Sequence, residues 1–269
     1  MTRREFAWNI AGLPALASLA RAGAAAENAK DGGRALAEKM VFALGGDAFR
    51  NMQTRTEIGR AYSFYREQLT GLSIARIYTR YRDPADGDGL HQVQRQVFGK
   101  KQEDAVLFTG TDAYEVTYRG AKPLPDDRVK QSRESTLHDV FYILRERMHE
   151  PGVEFEAGGK DVVENQPVQI LDVYDAEDRK TRVWVNSDTF LPVKQSFRRW
   201  DPIINDWRDE VTRYSKYREV TNRVMWPFAT ERERDTEKIF QMYSDSVTVD
   251  DPLPDSFFQL PNGIKILKK

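Results

Sequence analysis

The chain has 269 residues, with 41 Lys+Arg against 42 Asp+Glu, three His and no Cys, a length that allows one large domain or two small ones. A formal net charge of −1 excludes a chain built globally to bind polyanions, so no nucleic-acid partner is expected, and 11% aromatic residues argue against wholesale disorder. The lack of Cys removes disulfides, thiolate metal sites, iron–sulfur clusters, thiol nucleophiles and a lipid-anchored N-terminal cysteine together.

Residues 1–26, MTRREFAWNIAGLPALASLARAGAAA, read as a cleaved export signal of the twin-arginine type. Thr2-Arg3-Arg4-Glu5-Phe6 places a paired Arg before Phe. Ile10 to Ala20 is a short apolar run diluted by Gly12 and Pro14, Arg21 follows it, and Ala24-Ala25-Ala26 offers a small-residue cleavage site. The competing reading is an amphipathic first helix of the domain, which leaves that order of features unexplained. Removing residues 1–26 takes away three Arg and one Glu and moves the net charge from −1 to −3. The implied compartment is the periplasm. Beyond this segment no apolar stretch approaches the ~20 residues of a spanning helix, so no transmembrane segment is expected in the mature chain.

Residues 31–52 carry Leu36, Met40, Val41 and Leu44 at a helical period, and Gly45-Gly46 stops the helix. The period then changes to two. Segments 55–68 and 70–83 read as strands joined by a turn at 69–71, and Pro84 to Gly89 is a loop. Segments 91–99, 103–110 and 113–120 continue a meander whose spacing suits antiparallel hairpins. Residues 121–131 read as a polar crossing. A second helix is predicted over 132–150, with an apolar stripe of Leu137, Val140, Phe141, Leu144 and Met148, ended by Pro151-Gly152. Strands follow at 153–157, 160–165, 167–174, 179–186, 190–200, 207–220, 223–234 and 238–249, and Pro252, Pro254 and Pro261 make the tail extended. Residues 31–269 are therefore expected to form one domain of roughly ten or eleven antiparallel strands with two covering helices.

Catalytic constellations are weak. His91, His138 and His149 do not share metal-ligand spacing, and Met148-His149-Glu150 is not an HExxH motif. The acidic pairs Asp126-Asp127, Asp209-Glu210 and Asp250-Asp251 lack EF-hand spacing. GxSxG, Walker A and GxGxxG motifs are absent from the sequence. No catalytic residue, metal or cofactor is expected. The strands carry many aromatics, which fits either a filled core or an apolar cavity between a curved sheet and its helices.

Three segments carry a resemblance. Arg182 to Lys194, RVWVNSDTFLPVK, is similar to a strand–turn–strand pattern W-V-(D/N)-x-x-T-x-L-P-x-K; Tyr217 to Phe228, YREVTNRVMWPF, to Y-x-x-V-x-G-x-x-x-P; and Pro254 to Gly263, PDSFFQLPNG, to F-x-x-P-x-G. Together with the layout they resemble the LolA/LolB-like superfamily, in particular the outer-membrane lipoprotein-sorting proteins. Asn222 stands where Gly is usual, and Asn tolerates the same left-handed turn. The resemblance implies a mainly β (α+β) fold, a curved antiparallel sheet forming an unclosed barrel covered by helices. It implies a soluble periplasmic carrier of lipoprotein acyl chains or another lipid-like ligand, working with a membrane-bound delivery partner. The alternatives are an enzyme acting on a small molecule in the barrel mouth and a sensor of acylated partners. A polar cleft with perturbed carboxylates would favour the enzyme, and a dry groove of Phe, Trp and Met the carrier.

Choosing on each strand the parity richer in large apolar side chains predicts the ligand lining. The strand candidates are Tyr62, Phe64, Ile74, Tyr78, Trp226, Phe228, Phe240 and Met242, with Val183 and Val185 on a strand where Trp184 could equally face in. The helix contributes Leu137, Phe141, Leu144 and Met148.

Overall fold

The computed structural model describes residues 15–83, 89–100 and 104–268, with side chains from residue 27 onward. The paired Arg3-Arg4 and most of the 84–89 loop lie outside the described residues. So do the side chains of the predicted cleavage site.

A helix α1 (Ala15–Leu44) and a short α2 (Asp47–Asn51) precede the first meander. That meander comprises β1 (Thr54–Tyr65), β2 (Gln68–Tyr81), β3 (Gln92–Phe98), β4 (Asp104–Phe108), β5 (Ala113–Thr117) and β6 (Gly120–Pro123). The crossing holds α3 (Asp126–Leu137) and α4 (Val140–Tyr142), the latter continued by a π-turn over Ile143–Arg147. The second meander comprises β7 (Glu154–Val163), β8 (Gln166–Tyr174), β9 (Lys180–Asn186), β10 (Pro192–Asp201), β11 (Asp206–Glu219), β12 (Met225–Arg234) and β13 (Glu237–Val249). All thirteen strands share one sheet in the order β6-β5-β4-β3-β2-β1-β13-β12-β11-β10-β9-β8-β7. Every ladder is antiparallel, and the two meanders meet only where β1 pairs with β13. The edge strands β6 and β7 do not pair, so the barrel is unclosed, as expected.

Three expectations are corrected. The described residues form thirteen strands rather than ten or eleven, in part because residues 121–123, read as part of a polar crossing, pair with β5. Gly158-Gly159 does not end a strand: β7 runs through it with a bulge between Ala157 and Gly159. The single helix expected over 132–150 is broken at His138-Asp139. There Asp139 takes an extended conformation (ψ 124°) and its Oδ1 caps the next turn by accepting from the Tyr142 N–H at 3.0 Å. The break is held from the sheet. Buried Gln195 on β10 accepts from the Val140 N–H at 2.8 Å and donates to the His138 carbonyl at 3.1 Å, so both freed backbone groups are satisfied.

The main core lies between the second meander and α1 with α4. Leu36, Met40, Val41 and Leu44 of α1 meet Leu144, Met148, Phe155, Leu171, Val183 and Val185. Gly33 lets α1 lie directly on the β7 backbone: an added Cβ would stand 2.4 Å from the Phe155 carbonyl oxygen. The opposite face of the first meander is covered by the tail. Tyr78, Val97, Leu107 and Val116 pack there with Leu260 and Ile264, and Ile266 bridges to Ala121 at the edge of β6.

Candidate functional site

Strand alternation assigns the two faces of the sheet. On β1 the odd residues Arg55 and Glu57 point to the concave side, where register places them opposite Thr79 and Ile77 of β2. On β3 the inward parity is Gln92, Gln94, Gln96 and Phe98; on β10 it is Gln195, Phe197 and Arg199; on β12 it includes Thr230, Arg232 and Arg234. These walls, with α3 and α4 closing the crossing, enclose an open cavity of about 610 Å³.

The cavity is amphipathic. Its apolar part is Phe98, Val106, Phe108, Phe141, Phe197 and Trp226, and its polar part is rich in Gln and Arg. The Phe141 ring lies 4.5 Å from Trp226 and meets Tyr214 edge-on at 5.1 Å. The Arg55 guanidinium stacks over Trp226 at 4.0 Å and donates to the Tyr81 hydroxyl at 2.9 Å, while Arg145 covers the other ring of this chain, Tyr81, at 3.9 Å. On β10–β12, Glu210 accepts from Arg199 at 2.5 Å and from Arg234 at 2.7 Å, with Arg199 and Glu210 both buried. Glu57 accepts from the Ser244 hydroxyl at 2.5 Å. Burial pushes the Asp139 carboxyl above the usual carboxylate range, opposed by the Tyr142 N–H and by Arg55 and Arg232.

Of the twelve residues selected from sequence, Phe141 and Trp226 line this cavity. Leu144, Met148 and Phe228 are in the filled core instead, and Leu137 borders a small separate void beside His138. Phe240 and Met242 share the concave face with Ala61 and Phe98 but lie beside the cavity rather than on it. Tyr62, Phe64, Ile74 and Tyr78 are on the opposite parity of β1 and β2 and so on the convex face. Tyr78 meets Phe257 of the tail edge-on at 4.7 Å. The Trp184 alternative resolves outward, its indole N–H donating to Asp161 while Val183 and Val185 are fully buried. The groove is thus neither the dry Phe, Trp and Met surface that would favour a carrier nor the carboxylate-lined cleft that would favour an enzyme, but a mixed one. Of the polar residues that sequence reasoning missed, Arg55 and the Gln92/Gln94/Gln96 row occupy the parity that an apolar criterion discards, whereas Arg232 shares the inward parity of β12 with Trp226 and was passed over because it is charged.

No known family profile and no curated protein matches the chain. Solved structures do. A DUF1329 family protein from Desulfovibrio piger is similar with a TM-score of 0.58 at 15% identity, covering 86% of this chain and 97% of that one. A putative outer membrane lipoprotein-sorting protein domain from Vibrio parahaemolyticus is similar with a TM-score of 0.55 at 12% identity, covering 85% and 97%. The chain shares the fold of these two proteins. A LolA superfamily protein from Nitrosomonas europaea, with a TM-score of 0.49 at 13% identity, covers 83% of this chain and 97% of that one. No helix among the described residues is long and apolar enough to cross a membrane.

Against the break between α3 and α4 sits His138, which stacks on Phe197 at 4.1 Å and shares a 2.6 Å hydrogen bond between Nδ1 and the Thr181 hydroxyl. Burial, reinforced by Arg179 and Arg147 against Asp175, lowers its pKa from 6.5 to about 4. Between pH 6.5 and 4 the unfolded chain therefore binds a proton that the folded chain refuses, so stability falls as pH drops through this window. The expected loss is on the order of 3 kcal/mol, complete near pH 4. His138→Asn, which keeps a hydrogen-bonding group near Nδ1 but does not titrate, should lower the melting temperature at pH 7 and flatten its slope from pH 6.5 to 4. An unchanged slope in this variant would assign the acid sensitivity elsewhere.

Proposed function

We propose that the protein is an exported, non-catalytic carrier that shelters the acyl chain of a lipoprotein, or of another lipid-like ligand, in the concave cavity. The observation that carries this reading is the cavity itself. At about 610 Å³ it falls in the size range of small-molecule sites, and its apolar wall is formed by Phe98, Val106, Phe108, Phe141, Phe197 and Trp226, of which Phe141 and Trp226 belong to the main core. A carrier needs only to keep alkyl groups from water, at ~0.8 kcal/mol per CH₂. The name of the Vibrio structure, a putative lipoprotein-sorting domain, supports the same reading. An enzyme in the barrel mouth is less well supported, because the cavity carboxylates are engaged structurally: Asp139 caps a helix and Glu57 holds Ser244.

On this reading residues 1–26 are a twin-arginine signal removed on export, residues 31–269 form the mature periplasmic domain, and a membrane-bound partner receives the ligand. Intact-mass measurement of the exported protein is expected to show a mature N-terminus near residue 27, and R3K/R4K should retain the precursor in the cytoplasm. Export of R3K/R4K at the normal level would remove the twin-arginine assignment. For the cavity, native mass spectrometry of protein purified from its own host should reveal a co-purifying acyl ligand. A clean apo mass together with no binding of a fatty-acid probe would overturn the carrier.

A further inference from the structure

We propose that one end of the sheet is a membrane-docking rim, where three hairpin turns enter the interface of a phospholipid bilayer. The inference goes beyond the carrier reading and does not depend on what the cavity holds. Consecutive antiparallel strands reverse direction, so the β1–β2, β5–β6, β10–β11 and β12–β13 turns all lie at the same end of the sheet. Eleven large apolar side chains are exposed among the described residues, and seven of them lie within three residues of the first three of these turns. At β1–β2 they are Tyr65 and Leu69, at β5–β6 Tyr118, and at β10–β11 Trp200, Ile203, Ile204 and Trp207. Beside the described turns of the opposite end Val162 stands alone.

The β10–β11 tip carries the most apolar side chains of the three and is firmly built. Trp200 and Trp207 face each other across the hairpin, their rings edge to face at 5.6 Å. The turn between them is closed by Asp201, whose Oδ1 accepts from the Ile203 N–H at 3.0 Å, and by Asn205 in the left-handed conformation at φ 55°. Arg208 ties Asp201, at 3.4 Å, to Asp235 of the neighbouring β12–β13 turn, at 2.5 Å. Ile203, 87% exposed at the apex, is therefore presented to solvent from a braced turn. Each tip also sets a cation beside a ring: Arg66 over Tyr65 at 5.3 Å, Arg119 over Tyr118 at 5.3 Å and Arg198 over Trp207 at 5.4 Å.

This pattern fits a bilayer interface better than a protein partner. The apolar tips of β1–β2 and β10–β11 are separated by the β12–β13 turn, which carries Asp235 and Thr236, so they do not form one continuous surface for a partner to cover. A fluid interface admits each tip singly. Trp and Tyr rings concentrate at the headgroup level, apolar body inward and polar edge in water, and Ile gains the free energy of leaving water. The cations supply the charge complement. Arg66 and Arg119 form no ion pair among the described residues, and a guanidinium whose stem lies along an apolar surface can donate to lipid phosphate. Glu67, Asp178 and Glu237 stand at the same end, so a net positive field is not what draws the surface, and the lipid need not be anionic.

The test is partitioning of the full chain onto sucrose-loaded vesicles of phosphatidylcholine, with acyl-brominated phosphatidylcholine as the quencher of Trp fluorescence. The wild-type chain is expected to pellet with the vesicles and to be quenched by the brominated lipid. I203S/I204S should lower the partition coefficient about tenfold or more. W200F/W207F keeps apolar rings at the tip, so it should partition within about threefold of wild type and lose most of the quenching. F42S/V162S, which changes exposed apolar residues away from these turns, should leave both readings unchanged. Thermal unfolding of each variant checks that it is folded, and the exposed Ile203 gives up little packing. No partitioning of the wild type, undiminished partitioning of I203S/I204S, or unchanged quenching in W200F/W207F overturns the rim. Self-association that I203S/I204S abolishes in sedimentation velocity, without any binding to vesicles, assigns the tip to a second copy of the chain and overturns it equally. Acyl binding in the cavity is read by a separate assay, so the carrier reading survives each of these outcomes.

Discussion

Replacing Glu210 with Ala is expected to lower the stability of the fold by about 3–5 kcal/mol, read as a shift in the urea midpoint. The reason is the guanidinium it leaves behind. Arg199 is 3% exposed and Glu210 4%, and the 2.5 Å contact between them is the only ion pair of Arg199 among the described residues. Without Glu210 a full positive charge stays out of water with no partner, while Arg234, at 2.7 Å on the other side, can turn toward solvent. The R199L/E210L double variant should recover most of the loss, because removing both charges also removes both desolvation costs. Loss of less than about 1 kcal/mol in E210A would mean that water already reaches Arg199 through the cavity. The same buried charge bears on α3. Burial raises the pKa of Glu134 of that helix, Glu210 adding to the shift and Arg199 and Arg179 opposing it.

The sheet was legible in sequence because its signals are local. Alternation and turn residues mark the strands, and Asn222, in the left-handed conformation at φ 61°, sits in the turn assigned to it. The broken helix was not legible, because the group that stabilises the break, Gln195, lies 57 residues from His138. A stripe of Leu137, Val140, Phe141, Leu144 and Met148 looks the same whether or not one turn is opened by a distant amide.

The face assignment failed for a related reason. Choosing the apolar parity assumes that only one face of a sheet is covered. Here the tail covers the other face of the first meander, so Tyr78 and Val97 are apolar because Phe257, Leu260 and Ile264 lie on them. On the second meander α1 is the cover and the assumption holds, which is why Val183, Val185 and Trp226 were placed inward. The row Gln92, Gln94, Gln96 alternating with Val93, Arg95 and Val97 was a visible sign that one parity of β3 faces something wet.

The concave side is therefore part core and part cavity, and two phenylalanines separate them. Phe228 is 6% exposed, packs in the main core and carries the Arg218 guanidinium over its ring at 4.6 Å. Phe108 is half-buried on the cavity wall. Phe228→Ala should cost about 3–5 kcal/mol, since the lost ring leaves a void that a close-packed core cannot fill. Phe108→Ala should cost only about 1–2 kcal/mol, because part of its ring already faces open space and has fewer contacts to lose. Acyl binding should show the opposite order. Measured on the folded fraction, Phe228→Ala is expected to keep its affinity for oleate within about twofold, whereas Phe108→Ala should weaken it about tenfold, the loss of roughly 1.4 kcal/mol of apolar contact. Equal stability losses in the two variants, with equal affinity, would mean that the space beside Phe108 closes in solution. The amphipathic cavity would then be filled by the protein's own side chains rather than by a ligand.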